Sequence, residues 1–184
     1  GLSRDSPMPG GKTHDIITLL LAAPAFAAGF VVTDDVTLST ATAAAFLFGG
    51  LMFGPDLDTV SKQYSRWGPL RMMWFPYRAA FKHRSRWSHG LIFGTLFRVI
   101  YFLGVVSLAV YLGWVVKTSI VGGDVPGLSV FAQAWRQLGE IVGGGLGDYF
   151  LAAVFAGMWT GAASHTFTDM AGTYIKTGRV SDFL

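Results

Sequence analysis

Four long apolar stretches, separated by shorter polar segments, set the pattern of this chain. They cover residues 16–32, 36–53, 91–116 and 141–163. A helix needs about 20 apolar residues to cross the hydrocarbon of a bilayer, and each stretch comes near that length. The pattern therefore predicts an all-α fold, a four-helix transmembrane bundle.

The segment ahead of the first stretch has no periodic pattern. Residues 1–7 precede Met8, which is followed by Pro-Gly-Gly and is typical of a natural start. We expect residues 1–7 to be an added leader and residues 8–184 to form a single integral membrane domain.

The composition supports a membrane protein. The chain is 52% hydrophobic and only 14% charged, and its mean hydropathy is +0.46. In soluble domains about a quarter of all residues are charged. The absence of cysteine excludes thiol catalysis, disulfides and cysteine-type zinc sites. Gly157 and Gly161, four residues apart in the fourth stretch, predict a close helix-packing face.

Ligand-type residues gather at the ends of the apolar stretches. An up-down-up-down bundle would place all of them on one membrane face, and imidazole with carboxylate suits zinc, manganese or iron. The pattern therefore predicts a metal site at that face. The candidate ligands are His14, Asp56, Asp58, His83, His89, His165 and Asp169.

Each of these residues alone has a simpler interpretation. His165 and Asp169 share a helix face, but such a pair is more often a helix-end histidine beside a solvated carboxylate. Asp56 and Asp58 follow Gly-Pro and alone would be turn aspartates. Taken together, the shared face and the absence of any other histidine favour a metal site. Asp15 is left open, because it is equally a helix-start carboxylate favoured by the dipole.

The distribution of charge predicts the orientation. Residues 59–86 contain no acid, and seven basic residues lie there, namely Lys62, Arg66, Arg71, Arg78, Lys82, Arg84 and Arg86. By the positive-inside rule, the metal face and both termini are expected to be cytoplasmic. Aromatic residues interleave with these cations, so we expect the segment to lie among lipid headgroups, with membrane lipids as partners. Nothing in the pattern favours nucleic acid.

Other polar positions carry weaker expectations. Arg98 lies inside the third stretch and is expected to extend to the cytoplasmic surface. Asp148 is expected either in the far interface or paired inside the bundle, and the sequence does not decide. Apolar residues at helical spacing between Leu128 and Leu138 predict a short amphipathic helix on the far membrane surface.

The order of these motifs resembles a known family. Thr-His lies near the start, Gly-Pro-Asp-x-Asp follows the second stretch, His-Arg-…-Ser-His precedes the third, and Ser-His-x-x-x-Asp follows the last. This order resembles the bacterial membrane-bound predicted metal-dependent hydrolases and related uncharacterised metal-binding membrane proteins. The His-x-x-x-Asp element is also similar to that of the zinc-dependent phospholipase C and single-strand nuclease superfamily, whose sites hold several metal ions. The resemblance implies the same ligand set and a bacterial-type inner membrane.

The leading functional expectation is a membrane hydrolase that cleaves a phosphoester in a lipid or lipid-linked substrate. Zinc, with manganese or iron as alternatives, and two or more ions would fit such a reaction. Asp58, or alternatively Asp15, is expected to act as base where it holds no metal, while Arg84 and Arg86 would orient the phosphate. The alternative is a non-catalytic metal-binding protein that serves as a scaffold or assembly factor of a larger complex. A metal transporter is the weakest option, because no ligand pair lies at mid-membrane.

Overall fold

The computed structural model describes residues 11–81, 90 and 93–177 of the chain. Within these residues every regular element is a helix, which confirms the predicted all-α bundle. The first pair, α1 (Gly11–Thr33) and α2 (Val36–Leu51), forms a tight hairpin. Asp34 turns the chain with a positive φ of 50°, and the carboxylate of Asp35 accepts the N–H groups of Thr37 and Leu38 at 2.6 and 3.0 Å. This cap satisfies backbone donors that the start of α2 leaves without helical partners.

A connecting segment, residues 52–81, follows α2. It contains a 3₁₀ turn (Pro55–Asp58), α3 (Lys62–Ser65), a second 3₁₀ stretch (Gly68–Trp74) and α4 (Phe75–Ala80). Trp74 and Tyr77 are fully buried in an aromatic core with Phe53. Much of the segment thus folds against one end of the bundle.

Two long helices and one amphipathic helix complete the fold. They are α5 (Phe93–Val121), α6 (Leu128–Leu146) and α7 (Phe150–Thr177). The axes of α6 and α7 are bent by 93°. Residues 141–146, expected in the fourth membrane span, belong to α6, and the long helix begins at Phe150. Gly147, with a φ of 94°, ends α6, since glycine tolerates a backbone conformation that breaks the helix there.

The helices α2 and α7 pack backbone to backbone. A Cβ atom added to Gly161 would collide with the carbonyl of Phe46, and one added to Gly157 would collide with the carbonyl of Thr42. The predicted packing face at these two glycines is therefore confirmed, and it packs against α2. α1 packs along α2 as well, so α1, α2 and α7 form the centre of the bundle while α5 meets α7 only weakly.

By length and composition, three of the described helices could cross a membrane, or four if α6 and α7 count as one broken span. The amphipathic α6 has no buried residue in the structure. Phe131 packs on Tyr111 of α5, while the apolar Leu128 and Leu138 are exposed.

Candidate metal centre

Two histidines and an aspartate from opposite ends of the chain meet at the end of the bundle where the connecting segment folds. His14 lies in the first turn of α1, while His165 and Asp169 lie one turn apart on α7. His14 Nε2 is 3.1 Å from Asp169 Oδ1, and His165 Nε2 is 3.6 Å from Asp169 Oδ2. The two imidazole rings stack with centroids 3.8 Å apart and an interplanar angle of 17°.

Asp56 joins these residues from the turn after α2. α2 ends at Leu51, and Gly54 and Pro55 then start a 3₁₀ turn, which carries the carboxylate of Asp56 toward α7. Its Oδ2 is 3.2 Å from His165 Nε2. We call His14, Asp56, His165 and Asp169 the donor cluster.

Gln63 fixes the orientation of the cluster. Its Oε1 accepts the backbone N–H of Asp56 at 3.2 Å, and its Nε2 donates to the carbonyl of Gly50 at 2.8 Å. These two bonds leave Nε2 facing His165 Nδ1 at 3.3 Å, so that the other ring nitrogen of His165 points at the carboxylates. Sequence reasoning missed Gln63, because a lone glutamine in a basic and aromatic segment carries no ligand signal.

A cavity of about 240 Å³ opens beside the donor cluster. The residues that line it include His14, Asp56 and His165 of the donor cluster, together with Lys62 and Asp15. The carboxylate of Asp15 binds Lys62 Nζ at 3.2 Å and Arg66 Nη2 at 2.7 Å. Asp15 is thus engaged by two cations in the structure.

A second buried polar group lies next to Asp56. Asp58 is buried and interacts electrostatically with Arg98, whose other neighbours include Tyr77 and Thr95. Arg98 is only 1% exposed, so the expected extension to the surface is wrong. Burial raises the pKa of the Tyr77 hydroxyl above its ordinary value, and the nearby Arg98 lowers it in part. A buried guanidinium is stabilised when acceptors surround it, which explains why Arg98 turns inward.

The sequence matches a model of a protein family. The model described as an uncharacterized metal-binding protein (DUF2227) matches residues 9–179. The chain belongs to this family. No curated protein and no solved structure matches the chain. The similarity to hydrolases of the phospholipase C and nuclease type stays a prediction.

The residues of the donor cluster fit the metal that the family description implies. One donor atom each from His14, His165 and Asp169 lie within 4.8 Å of one another. His165 Nε2 is buried, lies between two carboxylates and makes no hydrogen bond within the described residues. A buried ring nitrogen without a hydrogen bond is costly unless something else occupies its lone pair, and a cation between imidazole and carboxylate would do so.

The structure brings together part of the predicted ligand set. His14, Asp56, His165 and Asp169 are in contact, and Asp58 lies outside the group of three donors that lie within 4.8 Å of one another. The remaining predicted ligands, His83 and His89, lie outside the described residues, as do Arg84 and Arg86.

Proposed function

We propose that this member of the metal-binding family is a membrane-embedded, metal-dependent hydrolase of phosphoesters. The observation that carries the proposal is the cavity beside the donor cluster. A metal with a purely structural role has its coordination filled by protein side chains. Here His14, Asp56 and His165 face about 240 Å³ of space that can admit water or part of a substrate.

The protein side chains have separate tasks in this proposal. His14, His165 and Asp169 hold the ion, and Asp56 contributes a further oxygen from its turn. A bound zinc, manganese or iron ion would polarise the phosphoryl group and favour ionisation of a water molecule. Gln63 contacts His165 Nδ1 and limits rotation of the ring. When His165 Nε2 holds the ion, the ring proton lies on Nδ1, so the amide oxygen of Gln63 must turn to accept it.

The other proposed roles come from the sequence. Asp58, buried next to Asp56, serves as the base that takes a proton from water. His83 and His89 complete a second ion site, and Arg84 and Arg86 orient the phosphate. Two or more ions near one another would clamp the attacking and leaving oxygens of the phosphoester.

A lipid or lipid-linked phosphoester is the proposed substrate. The connecting segment exposes Val60, Leu70, Met72 and Phe75 on the same end of the bundle as the donor cluster. Exposed apolar residues among cations suit the headgroup layer, where a phosphate can reach the centre while its lipid tails stay in the bilayer.

The decisive experiment compares turnover with metal content. We expect zinc-loaded protein to hydrolyse phosphatidic acid or a lipid pyrophosphate in mixed micelles, and to lose this activity with chelation. Asp58→Asn should remove turnover while metal content stays near that of the wild type. Gly113→Ala is the matched control, because its Cβ would meet no atom within 4 Å. Full metal loading without turnover of any lipid or soluble phosphoester would favour the scaffold function instead.

We also propose that the donor cluster faces the cytoplasm of a bacterial-type cell, with both termini on that side. The absence of cysteine makes a direct test simple. Single cysteines replace exposed Val60, near the cluster, and exposed Asp124, in the loop before α6. We expect an impermeant thiol reagent added to intact cells to label Asp124→Cys only. Labelling of Val60→Cys from outside would reverse the orientation.

A further inference from the structure

We infer that Lys62 is the residue that recognises the phosphate anion at the metal centre, with Asp15 as its positioning residue. The inference rests on the proposed function and adds to it the chemistry of recognition, which is a phosphate monoester or free phosphate held by one ammonium group.

Lys62 is placed between the metal centre and solvent. Its side chain lines the same cavity as His14, Asp56 and His165, and it is 50% exposed. Its ammonium group has three N–H donors, of which the carboxylate of Asp15 takes one at 3.2 Å. The remaining donors are available to an anion that enters the cavity.

The two cations beside Asp15 outnumber its single negative charge, so a net positive charge remains there. Asp15 is shared by two cations, Lys62 and Arg66. Arg66 is committed elsewhere, because its Nη1 donates to the carbonyl of Leu51 at 2.6 Å and its Nη2 donates to Asp15. Lys62 is therefore the cation with free donors that also lines the cavity.

Two residues at the start of α1 hold the side chain of Lys62 in position. A Cβ atom at Gly11 would lie 2.8 Å from Lys62 Cδ, so the aliphatic stem of the lysine rests against a helix backbone that has no side chain there. Asp15, one turn further along α1, holds the ammonium end. An exposed ion pair of this kind contributes little to stability, so its value lies in fixing where the ammonium group sits.

An anion would not enter the cavity without the metal. Asp56 lies 27% exposed at the cavity and would repel phosphate. A divalent ion in the donor cluster offsets the carboxylates, and Lys62 then supplies the additional attraction. Phosphate binding is therefore expected only in metal-loaded protein.

The test uses zinc-loaded full-length protein and two probes. Titration calorimetry with inorganic phosphate gives affinity for the free anion, and binding to phosphatidylcholine vesicles that contain phosphatidic acid gives affinity for the headgroup. We expect Lys62→Gln to weaken phosphate binding about tenfold or more, and Lys62→Arg to restore most of it. The matched control is Arg136→Gln, an exposed cation on α6 at the far end.

Each outcome decides one point. Weakening with inorganic phosphate alone would identify the free anion as the ligand, and weakening with both probes would identify the headgroup phosphate. Equal phosphate affinity in Lys62→Gln and wild type, at equal zinc content, would overturn the inference. A large fall in the thermal midpoint or zinc content of Lys62→Gln would also overturn it by showing a structural role. If phosphate binds and depends on Lys62, but no lipid is hydrolysed, the proposed function is wrong while the inference about Lys62 still holds.

Discussion

The imidazole of His14 stacks on that of His165, with ring centroids 3.8 Å apart, although the two residues come from the first and last described helices. Both rings turn a nitrogen toward the carboxylate of Asp169. One aspartate therefore ties the two histidines together. The two ends of the described chain meet at the donor cluster, although α1 packs against α7 much less than α2 does.

The first prediction concerns the ligands. His165→Ala and Asp169→Ala should each abolish retention of a divalent metal, because each removes a donor from the group that lies within 4.8 Å. Elemental analysis after purification without chelator measures the metal-to-protein ratio, and Gly113→Ala serves as the control. Wild-type metal content in both ligand variants would place the metal elsewhere.

The second prediction concerns Gln63. Gln63→Met keeps the size of the side chain but removes its contacts with His165 Nδ1 and with the N–H of Asp56. Metal binding at His165 Nε2 leaves the ring proton on Nδ1, where the amide oxygen of Gln63 must accept it. Residues that hold a ligand in this way typically contribute about 10- to 100-fold in metal affinity. Competition with a fluorescent chelator should show this loss, whereas the exposed Gln137→Met on α6 should bind metal like the wild type. Unchanged affinity of Gln63→Met would show that His165 needs no such support.

The third prediction concerns helix packing. Gly161→Ala places a methyl group against the carbonyl of Phe46, so α2 and α7 must separate. Overpacking of this kind costs about 1–3 kcal/mol of unfolding free energy. Thermal unfolding in detergent should show a lower midpoint for Gly161→Ala. In contrast, Gly113→Ala adds a methyl group in open space and should leave the midpoint equal or slightly higher, because alanine favours the helix. Equal midpoints for both variants would contradict the close backbone contact.

The fourth prediction concerns the buried cation. Arg98→Met leaves the buried Asp58 without the positive charge of Arg98, which typically costs about 3–5 kcal/mol. The added change Asp58→Asn should recover part of this loss, because it removes the uncompensated charge. Denaturant unfolding of the single and double variants measures the coupling, and Arg136→Met, at an exposed position, should be near neutral. If the double variant lost as much unfolding free energy as the two single variants added together, Arg98 and Asp58 would not be paired.

Two kinds of feature were predictable from the sequence. The lengths of the apolar stretches predict the long helices, and the alternating direction of successive helices predicts which residues share one end of the bundle. The stretches that became α1, α2 and α5 stand out as long apolar runs, and alternate crossing directions put His14, Asp56 and His165 at one end. The start of the fourth span was not predictable, because residues 141–146 are apolar and glycine-rich both in an amphipathic helix and in a span. Only the backbone turn at Gly147 separates the two.

The contacts made by single polar side chains could not be predicted. Arg98 turns inward because Asp58 and Tyr77 lie beside it, and that neighbourhood arises only when the connecting segment folds against α5. Gln63 reaches His165 for the same reason, since α3 is brought under α7 by the aromatic core. Such contacts depend on tertiary packing and leave no periodic trace in the sequence.

Because of the glycine contact between α2 and α7, the number of residues between Gly161 and His165 determines where His165 lies in the donor cluster. Gly161 rests on the backbone of α2 and fixes both the height and the rotation of α7, and His165 lies one turn later. A single residue inserted between them would rotate His165 by about 100° around the helix axis and raise it by about 1.5 Å. Every side chain of the donor cluster would then still be present, yet His165 would point away from Asp56 and His14. The position of His165 in the donor cluster therefore depends on its distance along the chain from Gly161 as well as on its chemical identity.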